Sequence, residues 1–108
     1  MVIESADILR EDHGILTAAI ALQGAGFSVT FGGYAFDAYH AESKTRKGTA
    51  FGMDFIARVL SVVGVDSLSR LKGSPIRAQF HNGAIVAIGH FIEDRWFYPA
   101  NLAREHES

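Results

Sequence analysis

The stretch "TAFGMDFIARVLSVVG", residues 49–64, decides the fold. Phe51, Phe55, Val59 and Val62 recur at i, i+4, i+8 and i+11, with Ile56, Leu60 and Val63 alongside, which is the spacing of one apolar helical face. Thr49 can cap the start, and Asp54 and Arg58 stand at the helpful acid-before-base spacing. Gly64 sits where a left-handed C-terminal cap is expected.

Both flanks of this helix read as strands. Downstream, Ile76, Ala78 and Phe80 alternate with Arg77, Gln79 and His81, and then come Asn82-Gly83 and "AIVAIGHFI". A two-residue Asn-Gly loop suits a type I′ turn, so this is a hairpin. Upstream, residues 2–10 alternate weakly and "EDHG" is a turn. "ILTAAIAL" and "FSVTF" form a second hairpin across "QGAG", with Gly32-Gly33 as its exit. The expectation is an α+β fold in the order β-β-β-α-β-β, a small, mostly antiparallel sheet of about five strands packed on one main helix. Residues 1–108 read as a single domain, with Trp96, Phe97 and Tyr98 folded back on the core and residues 100–108 as a mobile polar tail.

Composition narrows the classes. A hydrophobic content of 48% and a charged content of 20% suit one globular core. The net charge of -2 gives no global attraction to phosphate, so nucleic acid could be held only by a local basic patch. The absence of cysteine excludes disulfides and thiolate chemistry and suits a reducing compartment. No apolar run approaches the ~20 residues needed to cross a bilayer, and Met1 opens no signal peptide, so a cytoplasmic location without membrane contact is expected.

No catalytic signature emerges. Gly24-Ala25-Gly26 lacks the third glycine of a dinucleotide fingerprint and joins strands instead of opening a helix, and no GxSxG, HExxH or Walker lysine pattern occurs. An uninterrupted hairpin would put His81 and His90 roughly 20 Å apart, too far to share a metal ion. No cofactor or metal is expected. Asp12 and His13 near Asp37 are the one acid-base cluster worth following.

Two surfaces remain as candidates. Gly32, Gly33, Tyr34, Tyr39, Lys44, Arg46, Lys47 and Thr49 could form an anion pocket, because free N-H groups at a helix start favour negative charge and the three cations are expected to be exposed; the alternative is a solvated crossover loop. In the hairpin, Ile76, Ala78, Phe80, Ile85, Ala87 and Phe91 are expected in the core. Arg77, Gln79, His81, Val86, Ile88, His90 and Ile92 are expected on the opposite face, either as a plain solvated face or as a partner or subunit surface.

The segments "EDHGILT", "FGGYAFD", "GTAFGMDFIARVL", "VGVDS" and "AIGHFIEDRWF", which together run over most of residues 11–99, resemble a family of short, largely uncharacterised bacteriophage and prophage proteins. The resemblance implies phage or prophage origin and action in the bacterial cytoplasm, and transfers no catalytic residue. By analogy with small phage proteins, the expected function is a counter-defence or host-takeover inhibitor, anti-CRISPR-like in one form, that binds a host or defence-system protein. A homodimer is a further expected assembly. The alternative is a nucleotide or nucleic-acid binding module that sequesters a nucleotide signal or assists phage DNA metabolism.

Overall fold

The computed structural model describes residues 1–107. Strands β1 (Val2–Glu11), β2 (Ile15–Gln23) and β3 (Ser28–Gly32) form one antiparallel sheet in that order. A two-stranded ribbon, β4 (Asp37–His40) and β5 (Thr45–Gly48), leads into helix α1 (Ala50–Val63). After a 3-10 turn at Leu68–Arg70, strands β6 (Ile76–His81), β7 (Ala84–His90) and β8 (Trp96–Phe97) form a second three-stranded sheet, and helix α2 (Pro99–Glu105) follows. The fold is a small α+β architecture whose main elements follow the expected order. The strands are divided among three sheets rather than gathered in one. The added ribbon is polar and mostly exposed, so it carries no apolar alternation by which a sequence pattern could reveal it.

Helix α1 forms where its periodicity places it. The Thr49 Oγ1 accepts a hydrogen bond from the Gly52 N–H at 3.2 Å, and Gly64 ends the helix at φ 88° with its N–H donating to the Leu60 carbonyl. Phe55 is fully buried at the centre of an aromatic cluster, its ring centroid 5.8 Å from Phe31 and 5.0 Å from each of Phe36 and Phe97. Strands from both sheets and the crossover thus meet on one helical face. Each such fully buried large side chain contributes about 1.5–3 kcal/mol. Close approach to the crossover requires Gly52, because a Cβ there would stand 2.7 Å from the Phe36 Cβ.

The β6–β7 hairpin departs from its expected register. Asn82 and Gly83 both have positive φ, as a type I′ turn requires, and His81 pairs with Ala84 and Phe80 with Ile85. Then the register shifts: Gln79 pairs with Ala87 and Ala78 with Ile88, leaving Val86 as the extra residue of a β-bulge. One added residue turns every following side chain to the other face. Ile88, expected on the outer face, is therefore fully buried with Ile76. Phe91, expected in the core, is 54% exposed, and Phe80 beside the turn, also expected there, is 43% exposed.

The C-terminal segment corrects a second expectation. Instead of a mobile tail, residues 99–105 form α2, whose Leu102 is buried in the same core cluster as Phe97. Glu105 pairs with Arg58 at 3.3 Å and His106 Nε2 lies 2.8 Å from Asp54 Oδ2, both on the polar stripe of α1. These pairs are substantially exposed and fix orientation more than stability. Leu102 supplies the burial that holds the helix down.

Candidate functional site

The expected anion pocket is dispersed by the way the crossover packs. At Gly32, φ is 133° and a Cβ would lie 2.1 Å from the Ala18 carbonyl oxygen, so only glycine lets the chain leave β3 there. The crossover then runs along β2. Gly33 N–H donates to the Ala18 carbonyl at 3.1 Å, Phe36 N–H to the Leu16 carbonyl at 2.7 Å, and Thr17 Oγ1 to the Tyr34 carbonyl at 2.6 Å. The paired glycines therefore serve a structural junction.

Asp37 closes that junction. Its nearly buried carboxylate accepts hydrogen bonds from Leu16 N–H at 3.1 Å and from Arg46 Nη2 at 2.9 Å. The Arg46 bond holds the Asp37 carboxyl below the usual carboxylate range, against the opposing push of burial and with help from the Leu16 amide, and Asp37 in turn raises Arg46. Arg46, on β5, is thus committed to Asp37 on β4 and is not the exposed loop cation expected from sequence. Lys44, in the turn between β4 and β5, and Lys47 and Tyr39 on the ribbon remain exposed. Asp12 and His13 form a separate, strongly exposed turn pair at 4.0 Å, and among the described residues no group of three or more His, Cys, Asp or Glu could hold a metal ion. Tyr34 and Thr49 do come together, in a groove of about 400 Å³ with Phe51, His106 and Glu107, but Lys44, Arg46 and Lys47 do not line it.

The expected partner face is also redistributed. Arg77 stacks 4.7 Å over the Trp96 ring while its Nε and Nη2 donate to the carbonyls of His90 and Glu93, each at 2.7 Å. His90 Nδ1 accepts from the backbone N–H groups of Ile92 and Glu93, and Gln79 bonds the Tyr98 hydroxyl. Arg77 and His90 thus shape the β7–β8 connection, and Gln79 holds Tyr98 where β8 gives way to α2. Ile88 belongs to the core, leaving His81, Val86 and Ile92 as exposed members of the set.

A different concavity emerges between the two three-stranded sheets. Residues 29–34 form one wall and residues 83–86 the other, with Pro99 contributing from the start of α2, and the cleft encloses about 400 Å³. The first wall is the free edge of β3. The second is the part of β7 that β8 does not reach, since β8 pairs only with Ile88 and Gly89. Among the described residues no acidic or basic side chain lines this cleft. Gly32, Gly33, Tyr34 and Val86 were singled out from sequence, but as parts of two different surfaces. Thr30 and Pro99 were not singled out, and Ile85 was expected only in the core. The legible signal was an uncharged "SVTFG" and "AIVA" beside strands rich in charge.

Among the described residues no helix is long and apolar enough to cross a membrane. In comparisons with known proteins, no family model, no curated protein and no solved structure matches the chain.

Proposed function

We propose that this chain is a small protein-binding module and that it engages its partner at the cleft between β3 and the first half of β7. The observation that carries this reading is the contrast between strand edges. Exposed edges pair with other chains unless they are guarded by charge, proline or cover. The other outer strand of the first sheet, β1, carries Glu4, Asp7, Arg10 and Glu11, and β6 carries Arg77 and His81. The edges on the cleft carry no acidic or basic residue. Recognition there rests on backbone hydrogen bonds and apolar contact, which suits a polypeptide partner. In the setting implied by the resemblance to phage proteins, that partner is a host or defence-system protein in the bacterial cytoplasm. The module is then a counter-defence or host-takeover inhibitor, anti-CRISPR-like in one form.

The test is capture from bacterial lysate on immobilised protein, run beside calorimetry with mono-, di- and cyclic nucleotides. Expected is a protein retained by the wild type and lost from a Thr30→Lys variant that places a charge on the β3 edge. Saturable nucleotide heat without any variant-sensitive capture would overturn the reading.

A further inference from the structure

We infer that the cleft accepts an extended, uncharged peptide segment that adds to β3 as a fourth strand. This rests on the protein-binding reading and specifies its chemistry. Two hydrogen bonds fix which backbone groups are free: Gly24 N–H donates to the Phe27 carbonyl at 2.9 Å and Gly33 N–H to the Ala18 carbonyl at 3.1 Å. Between them the antiparallel register runs Leu22 opposite Val29, Ala21 opposite Thr30, and Ile20 opposite Phe31. Directly opposed residues alternate between hydrogen-bonded and non-bonded pairs, so Val29 and Phe31 turn their N–H and C=O toward β2. Ser28, Thr30 and Gly32 turn theirs outward to the cleft side. Such a row of free groups is satisfied by a strand and not by a helix.

Side chains narrow the occupant further. Along the five residues of β3, Val29 and Phe31 face inward, and across the cleft stand Ile85, Val86 and Pro99. Side chains alternate along an added strand, so those beside Val29 and Phe31 meet apolar surface and those beside Thr30 meet solvent. The best-fitting segment has β-branched or other apolar residues on one face and uncharged polar residues on the other. Charge complementarity points the same way. A nucleic acid would leave its phosphates unpaired against a lining without cations, and a charged peptide would lose hydration without gaining a partner. A second copy fits less well, because the β6–β7 hairpin flanks β3 in each molecule and holds the two β3 edges apart, whereas a single extended segment can enter.

The experiment selects random displayed peptides of about seven residues on the wild-type protein, enough to span β3. Synthetic versions are then followed by amide hydrogen exchange and by a scan of single backbone N-methylations. Expected winners are uncharged and alternate apolar with polar residues. On binding, the Thr30 and Gly32 amides should gain about tenfold or more in protection, while the Val29 and Phe31 amides, already bonded to β2, change little. N-methylation should weaken binding by about tenfold at every second peptide position only. Thr30→Pro, which removes an outward donor and leaves the bonds to β2, should bind weakly too. The N-methyl scan decides the matter even if that variant misfolds. Strand addition is overturned by selection of charged or helical peptides, by protection outside β3, by uniform tolerance of N-methylation, or by a dimer of the free protein in which Thr30 is already protected. If no peptide is selected while lysate capture succeeds, protein binding stands and strand addition falls.

Discussion

Ile88→Ala tests the bulge, because the two registers give it opposite consequences. In the regular hairpin read from sequence, Ile88 would sit on an outer face, where truncation changes stability by no more than about 0.5 kcal/mol. In the structure it is fully buried, directly opposite Ala78 on β6 and Phe97 on β8. Truncation there removes the transfer free energy of the lost methyl and methylene groups and leaves a cavity between two hydrogen-bonded neighbours that cannot close in. Buried Ile→Ala changes cost about 2–5 kcal/mol, and this rigid setting places the loss at about 3–4 kcal/mol. For a chain of this size that lowers the melting temperature by about 12–16 °C. The assay is guanidinium unfolding followed by far-UV circular dichroism, with Val86→Ala as the control. Val86 is the 37% exposed bulge residue, and its truncation should cost under about 1 kcal/mol. A loss at Ile88 below about 1 kcal/mol, or losses of equal size at both positions, would refute the bulged register.

The Asp37 carboxyl is held low in the folded state, so its contribution to stability is fully present above the unfolded value of about 3.9 and fades as pH falls from there toward the folded value. Asp37→Asn should therefore flatten the acid limb of a plot of midpoint against pH, and an unchanged limb would exclude Asp37 as a contributor to it. Gly52→Ala should lower the melting temperature even though alanine is the better helix former by about 1 kcal/mol, because overpacking against Phe36 costs about 1–3 kcal/mol; a higher melting temperature would show that the crossover yields. Gly83→Ala should cost about 1 kcal/mol through its φ of 80°, read as a shifted denaturation midpoint with unchanged slope.

Local patterns carried most of the element list. The helix at residues 50–63, its threonine and glycine caps, the Asn82-Gly83 turn and the β2–β3 hairpin each depend on residues a few positions apart, whose spacing already contains the physics that forms them. The burial of Phe97 was legible for the same reason, as an aromatic cluster needs cover. What the sequence could not settle turned on partners distant along the chain. Arg46 looked like a free cation until folding brought Asp37 beside it, and residues 99–105 looked like a polar tail until α1 offered a place for Leu102. The bulge at Val86 changes no local preference, yet it decides which face of β7 is core, because strand pairing is scored by burial on a neighbouring layer. The cleft belongs to the same class. "SVTFG" and "AIVA" are each ordinary uncharged strands, and only the packing of two separate sheets on one helix sets their unpaired edges across a common space.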